Sequence, residues 1–194
     1  MTIVSVCLLL IAASTRSQTR EHPVQVPAYE DRDGYEVLSV LLASLSVVRK
    51  NDMIKIDPRT SSGRGVEEIK AHCSGIPEEF QGASGDFDKR AKTKLTLRKE
   101  FTFAKPYELA YATVKHHEDD SESKQEARDR IRSGTYYVAA VGFNENRTRA
   151  IAFVEYICGN LCGDSIFYFL RKSEKGWEEA PEIRRQVKTC GRIY

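Results

Sequence analysis

The strongest hydrophobic periodicity lies in residues 30–49. There Tyr35, Leu38, Leu41, Leu42 and Leu45 recur three and four positions apart, which places them on one face of an α-helix. Asp31 or Asp33 can cap its start, while the weak helix formers Ser44 and Ser46 blur its end. Met53-Ile54-Lys55-Ile56-Asp57 alternates instead and stops at Pro58, as a short strand does. Ile76-Pro77-Glu78-Glu79-Phe80 opens a second helix, with proline early and acids in the first turn, and Gly82 and Gly85 are expected to cut it short. A further short helix is expected over 66–72, and residues 59–65 read as a flexible loop.

Residues 135–180 carry the clearest strand pattern. Tyr136–Phe143, Ala150–Cys158 and Ser165–Arg171 are apolar runs separated by turn residues, and Trp177 begins a fourth. Such strands, about ten residues apart and joined by short turns, predict an antiparallel meander in which Phe153, Val154, Ile166, Tyr168 and Leu170 divide between the two faces. The expected architecture is therefore α+β: an N-terminal helix and short helical segments packed on an antiparallel β-meander.

The 194 residues suit one domain, expected over 30–194. Ile3–Ala13 is apolar but too short to span a bilayer, which takes ~20 apolar residues. It fits the core of a secretory signal over 1–17, with small residues at Ala12–Thr15, although no Lys or Arg precedes it. Residues 18–29, with Pro23 and Pro27, read as an extended leader, so the expected location is periplasmic or secreted, with no stable membrane span in the mature chain.

Export changes how the cysteines read. Of the five, Cys7 would leave with the signal, and Cys73, Cys158, Cys162 and Cys190 allow three disulfide connectivities. Cys158 and Cys162 can pair where a turn brings their Cα atoms within ~7 Å, which by elimination would leave Cys73 to Cys190. Gly159 and Gly163, each directly after a cysteine, supply the backbone freedom of a tight turn. Redox centres generally separate their cysteines by two residues at a helix start. Here there are three, between predicted strands, and the pair reads as a hairpin lock.

Charge adds two opposed segments. Residues 89–105 hold seven Lys or Arg (Lys89, Arg90, Lys92, Lys94, Arg98, Lys99, Lys105) against Glu100, and 116–130 hold six acids against Lys124, Arg128 and Arg130. Leu95, Leu97, Phe101 and Phe103 alternate with polar neighbours inside the first, which suggests strands with a solvated face, and Tyr107–Val114 suggests another strand or a buried helical turn. The net charge of +2 disfavours a dedicated nucleic-acid binder, and mutual neutralisation of the two segments or a solvated face is the simpler expectation. His116 and His117 are the weak candidates for a metal, because neighbours on a strand point to opposite faces and the acids that follow lack the spacing of a calcium loop. No catalytic set and no cofactor are expected: there is no Gly-x-Ser-x-Gly elbow, no phosphate-binding glycine loop and no second cysteine pair for zinc.

Val141-Gly142-Phe143-Asn144, Ala150 with Phe153 and Val154, Cys158-Gly159-Asn160-Leu161-Cys162-Gly163, Tyr168–Leu170 and Lys175-Gly176-Trp177 together resemble a group of uncharacterised bacterial exported proteins. Their C-terminal half is similar: strand, turn, strand, Cys-Gly-x-Leu-Cys-Gly, strand, Gly-Trp turn, with a helix soon after the signal. Residues 181–194 and the basic stretch fall outside this likeness, which implies no activity. The expected function is a non-catalytic exported domain that binds a protein or cell-envelope component. The alternative is a small thiol-dependent oxidoreductase or hydrolase using Cys158 or Cys162.

Overall fold

A computed structural model describes residues 26–61, 75–111, 133–159, 162–180, 183 and 191–193. The predicted signal, most of the leader, the helix over 66–72, the acidic run 116–130, Cys73, Cys190, His116 and His117 lie outside the described residues.

Helix α1 spans Arg32–Arg49. Asp31 caps it, its side chain accepting from Gly34 N at 3.2 Å, and the helix runs through both serines to Lys50, which ends it in the left-handed conformation with φ 55°. The serines are tolerated because Ser44 is exposed and the buried Ser46 Oγ donates to Ala43 O at 2.8 Å; a third serine, Ser39, is also buried and its Oγ accepts from Thr102 N at 2.9 Å. Tyr35, Val37, Leu38, Leu41 and Leu42 are buried, and Leu45 packs at the margin of the same core.

The sheet, among the described residues, has strands β1 (Ile54–Ile56), β2 (Tyr107–Leu109), β3 (Thr135–Val138), β4 (Gly142–Phe143), β5 (Arg149–Gly159), β6 (Cys162–Ser173), β7 (Gly176–Glu179) and β8 (Gly191–Ile193). Its order is β2-β1-β3-β5-β6-β7, with β4 also on β5 and β8 also on β6. The α+β class holds, but the sheet is mixed. The antiparallel meander is present over β3 and β4, β5, β6 and β7, whereas β1 lies parallel to both β2 and β3. Parallel neighbours need long connections, and here β1 reaches β2 through 57–106 and β3 only after 57–134. The predicted strand Tyr136–Phe143 is broken, because residues 139–141 stand against only Ala152 and Phe153 between the β3–β5 and β4–β5 registers. This bulge turns the Val141 amide toward Tyr29, whose hydroxyl accepts its hydrogen bond at 3.3 Å.

Strict alternation along β5 and β6 builds two cores. Ala150, Ala152, Val154, Tyr156, Tyr168 and Leu170 face α1, while Ile151, Phe153, Phe167 and Phe169 face the opposite layer. That layer is a single 3₁₀ turn (Glu78–Phe80) leading into helix α2 (Gln81–Arg90), which extends through Gly82 and Gly85. Burial of Phe80, Ala83 and Phe87 against the sheet outweighs the poor intrinsic helicity of the two glycines.

The alternation in 89–105 misleads. Leu97 and Phe101 are buried, but the segment is irregular apart from isolated bridges of Thr96 to Ala28 and Arg59. It closes over α1 and holds the end of the leader in place, with Tyr29 N donating to Thr96 O at 2.8 Å and Tyr29 2% exposed. The start of the predicted flexible loop is likewise anchored: Thr60 is buried, Leu95 N donates to its Oγ1 at 2.8 Å, and Ser61 N donates to Val138 O at 2.8 Å.

Candidate functional site

Helix α1 joins two polar clusters. At its C-terminal end, Arg49 bonds Asp164 with Nη2 at 2.6 and 2.5 Å from the two carboxylate oxygens, and its guanidinium carbon lies 4.2 Å from the centre of the Tyr156 ring. Burial disfavours the charged guanidinium, but the Asp164 contact outweighs it and raises the Arg49 pKa. Asn51, 1% exposed, accepts from Tyr136 Oη at 3.0 Å and donates to Tyr156 Oη at 3.1 Å. Burial pushes both tyrosine hydroxyls up, so they stay protonated across the physiological range.

The cysteine pair is on the same end of β5 and β6. Cys158 and Cys162 lie at disulfide distance, with Cα atoms 5.1 Å apart. Cys158 is buried in the α1-side core, and Gly159 pairs with Cys162 across a register shift, so the ladder continues up to the turn. Gly163 is required for a different reason from the one the sequence suggests. Its φ is not left-handed, but a Cβ there would stand 2.7 Å from Tyr156 O.

At the N-terminal end of α1, three cations meet three carboxylates. Asp31 accepts from Arg90 at 2.5 Å and from Arg147, Asp33 accepts from Arg147 at 2.5 Å and Lys172 at 3.2 Å, and Asp86 pairs with Arg90 at 2.8 Å. Partial burial raises the Asp33 carboxyl, but the Arg147 and Lys172 contacts more than offset this and hold it below its ordinary range. The turn between β4 and β5 aims Arg147. Asn144 Oδ1 accepts from Thr148 N and Arg149 N, both at 2.8 Å, and Arg147 takes a left-handed φ of 53°. Arg147 then lies 4.0 Å over Phe143, which meets Trp177 at 5.5 Å, with Lys172 Nζ 5.4 Å above the indole.

Beside this cluster is an open cleft of about 350 Å³. Tyr29 and Ala140, both buried, and the half-buried Leu95 form its base, with Asp31 and Arg90 on one side. Its charged residues and the group that braces them are separated by long stretches of chain: Asp31 and Arg90, which line it, by 59 positions, and Asp31 and the bracing Arg147 by 116. Asp31 is visible in the sequence as a helix cap, and nothing local reveals its second role.

The candidate residues do not converge. Cys158 and Cys162 are at the far end of α1 from the cleft, and the histidines lie outside the described residues. Part of the basic stretch is neutralised within the described fold: Arg90 by Asp31 and Asp86, Lys92 by Asp88 and Arg98 by Glu30. Among the described residues no cluster of three His, Cys, Asp or Glu could hold a metal, and no helix is long and apolar enough to cross a membrane. No family model, curated protein or solved structure matches the chain.

Proposed function

We propose that this chain is an exported, non-catalytic binding domain for a protein or cell-envelope component, akin to the exported proteins whose Cys-Gly-x-Leu-Cys-Gly turn it resembles. The observation that supports this reading most is the cleft at the start of α1. It has an apolar base, and charged walls in which Asp31 and Arg90 hold each other and are held in turn by Arg147 and Asp86. Pre-set concavity with a few oriented polar groups is what recognition requires.

In this reading Cys158 and Cys162 are architectural. Their closed loop is short, so removing it with Cys158→Ala and Cys162→Ala together is expected to cost about 2 kcal/mol or less in urea unfolding, with an unchanged far-ultraviolet spectrum.

The binding role is tested by placing a photo-crosslinking residue at Thr93 on the cleft rim and, separately, at the exposed Val48 near the other end of α1. Irradiated with an envelope fraction, the Thr93 protein should yield a discrete adduct that the Val48 protein does not. Equal labelling at both sites, or catalysis of insulin disulfide reduction that is lost in the double alanine variant, would replace this reading with the thiol-dependent one.

A further inference from the structure

We infer that the cleft recognises the carboxylate of an apolar-tailed organic anion, with Lys89 as the partner of the charge. The inference deepens the binding reading, on which it rests, by assigning a ligand class to that site.

Most polar groups around the cleft are already used. Asp31 has one oxygen on Arg90 and the other on Arg147 and on the amide of Gly34. Arg90 divides itself between Asp31 and Asp86, and Glu30, on the rim, pairs with Arg98 at 3.1 Å. The buried hydroxyl of Tyr29 accepts from the Val141 amide. What is left, among the described residues, is the Lys89 ammonium and the Thr93 hydroxyl, both on exposed residues of the rim and neither bonded to another described group, together with the donor hydrogen of Tyr29 and the second oxygen of Glu30, whose side chain is 71% exposed. The unspent polar capacity of the cleft is thus dominated by donors, one cation and two hydroxyls against one solvent-exposed carboxylate oxygen, beside an apolar base of Tyr29, Leu95 and Ala140.

The surroundings favour the same sign. The stretch 89–105 has seven basic residues to one acid, and the carboxylates that contact it are committed to Arg90, Lys92 and Arg98. Lys89, and Lys94 next to the Leu95 wall, are outside those pairs. An arriving anion meets cations that no described carboxylate pairs, whereas an arriving cation meets two carboxylates, Glu30 and Asp31, that already have arginine partners. A carboxylate on Lys89 and Thr93 leaves its tail over the apolar base, and a volume of about 350 Å³ suits a small molecule or the terminal residue of a peptide.

Three probes of one shape separate charge from simple apolar binding: 3-phenylpropionate, 3-phenylpropan-1-ol and 3-phenylpropylamine, titrated into the full chain at low salt by ligand-observed NMR. The propionate should bind at least about tenfold more tightly than the amine, with the alcohol between them. Lys89→Glu should reverse that order, and Thr93→Trp, which fills the mouth from an exposed position, should abolish binding of all three. Both substitutions are on the surface, and an unchanged unfolding midpoint checks the fold. Equal affinity for the three probes, an amine preference, indifference to either substitution, or no propionate binding at millimolar concentration each overturns the assignment. Crosslinking at Thr93 reports separately: an adduct that persists when the probe order fails retains the binding reading and removes only the anion.

Discussion

Gly142→Ala is expected to destabilise the protein by about 3 kcal/mol, the upper end of what overpacking costs. A methyl group at this position would stand 2.3 Å from Phe87 N and 2.4 Å from Phe87 Cα and Cβ. These atoms belong to α2 close to its backbone, so no side-chain rotation relieves the clash. The helix is also held where it is. Phe80 meets Phe169 edge-on at 5.2 Å, Phe87 meets Phe167 at 5.9 Å, and Asp86 accepts from the amide of Phe143 at 2.8 Å. Either α2 lifts and those contacts loosen, or β4 leaves β5. Because Arg90 ends α2 and reaches Asp31, a lifted helix also disturbs the cleft wall, and probe affinity should fall with stability. Gly85→Ala is the control. Nothing lies within 4 Å of a Cβ there, so the same change at a helix-interior glycine should stabilise by roughly 0.5–1 kcal/mol. Urea unfolding of the two variants decides the matter, and a neutral Gly142→Ala would show that α2 does not sit this tightly on the sheet.

The contrast between these glycines shows where the sequence is legible. Residue type alone marks Gly82 and Gly85 as helix breakers, yet the helix continues, because its fate is set by Phe80 and Phe87 packing on Phe169 and Phe167 of a strand far along the chain. Local patterns read correctly where they are reinforced locally. The stripe from Tyr35 to Leu45 has a capping Asp31 beside it, and β5 and β6 alternate along a hairpin that closes on itself. They fail where the partner is remote. Nothing near Ile54 says that Tyr107 and Thr135 will flank its strand in parallel, and nothing near Val138 announces the bulge. Leu95, Leu97 and Phe101 alternate as a strand does, but they line an irregular segment whose backbone bonds go to Pro27, Pro58 and Thr60 rather than to a ladder. The cleft belongs to the second class. Its charged walls come from the start of α1 and the end of α2, braced by Arg147 from the turn before β5, and only the folded chain brings them together.

Asp31→Ala should therefore show more than a lost cap. Three interactions end at this carboxylate: the Gly34 amide that begins α1, Arg90 from α2, and Arg147 from the β4–β5 turn. The cap contributes about 1 kcal/mol. Each ion pair adds about 1 kcal/mol, the upper end for pairs that retain solvent, since the Asp31 side chain is 14% exposed and those of Arg90 and Arg147 are 31% and 37% exposed. Neither arginine is orphaned by the change, because Arg90 keeps Asp86 and Arg147 keeps Asp33, so the larger penalty of a buried unpaired charge does not arise. The expected loss is about 3 kcal/mol. Asp31→Asn separates the parts: asparagine caps a helix as well as aspartate does but brings no charge, so it should lose only the ionic share, about 2 kcal/mol. Salt provides the second readout. The gap between wild type and Asp31→Asn should narrow at 1 M salt, where screening acts within ~3 Å, while the gap between Asn and Ala stays constant. An Asn variant as unstable as Ala, or a gap to wild type that ignores salt, would mean that Asp31 acts through its cap geometry alone and that the charged wall of the cleft is assembled without it.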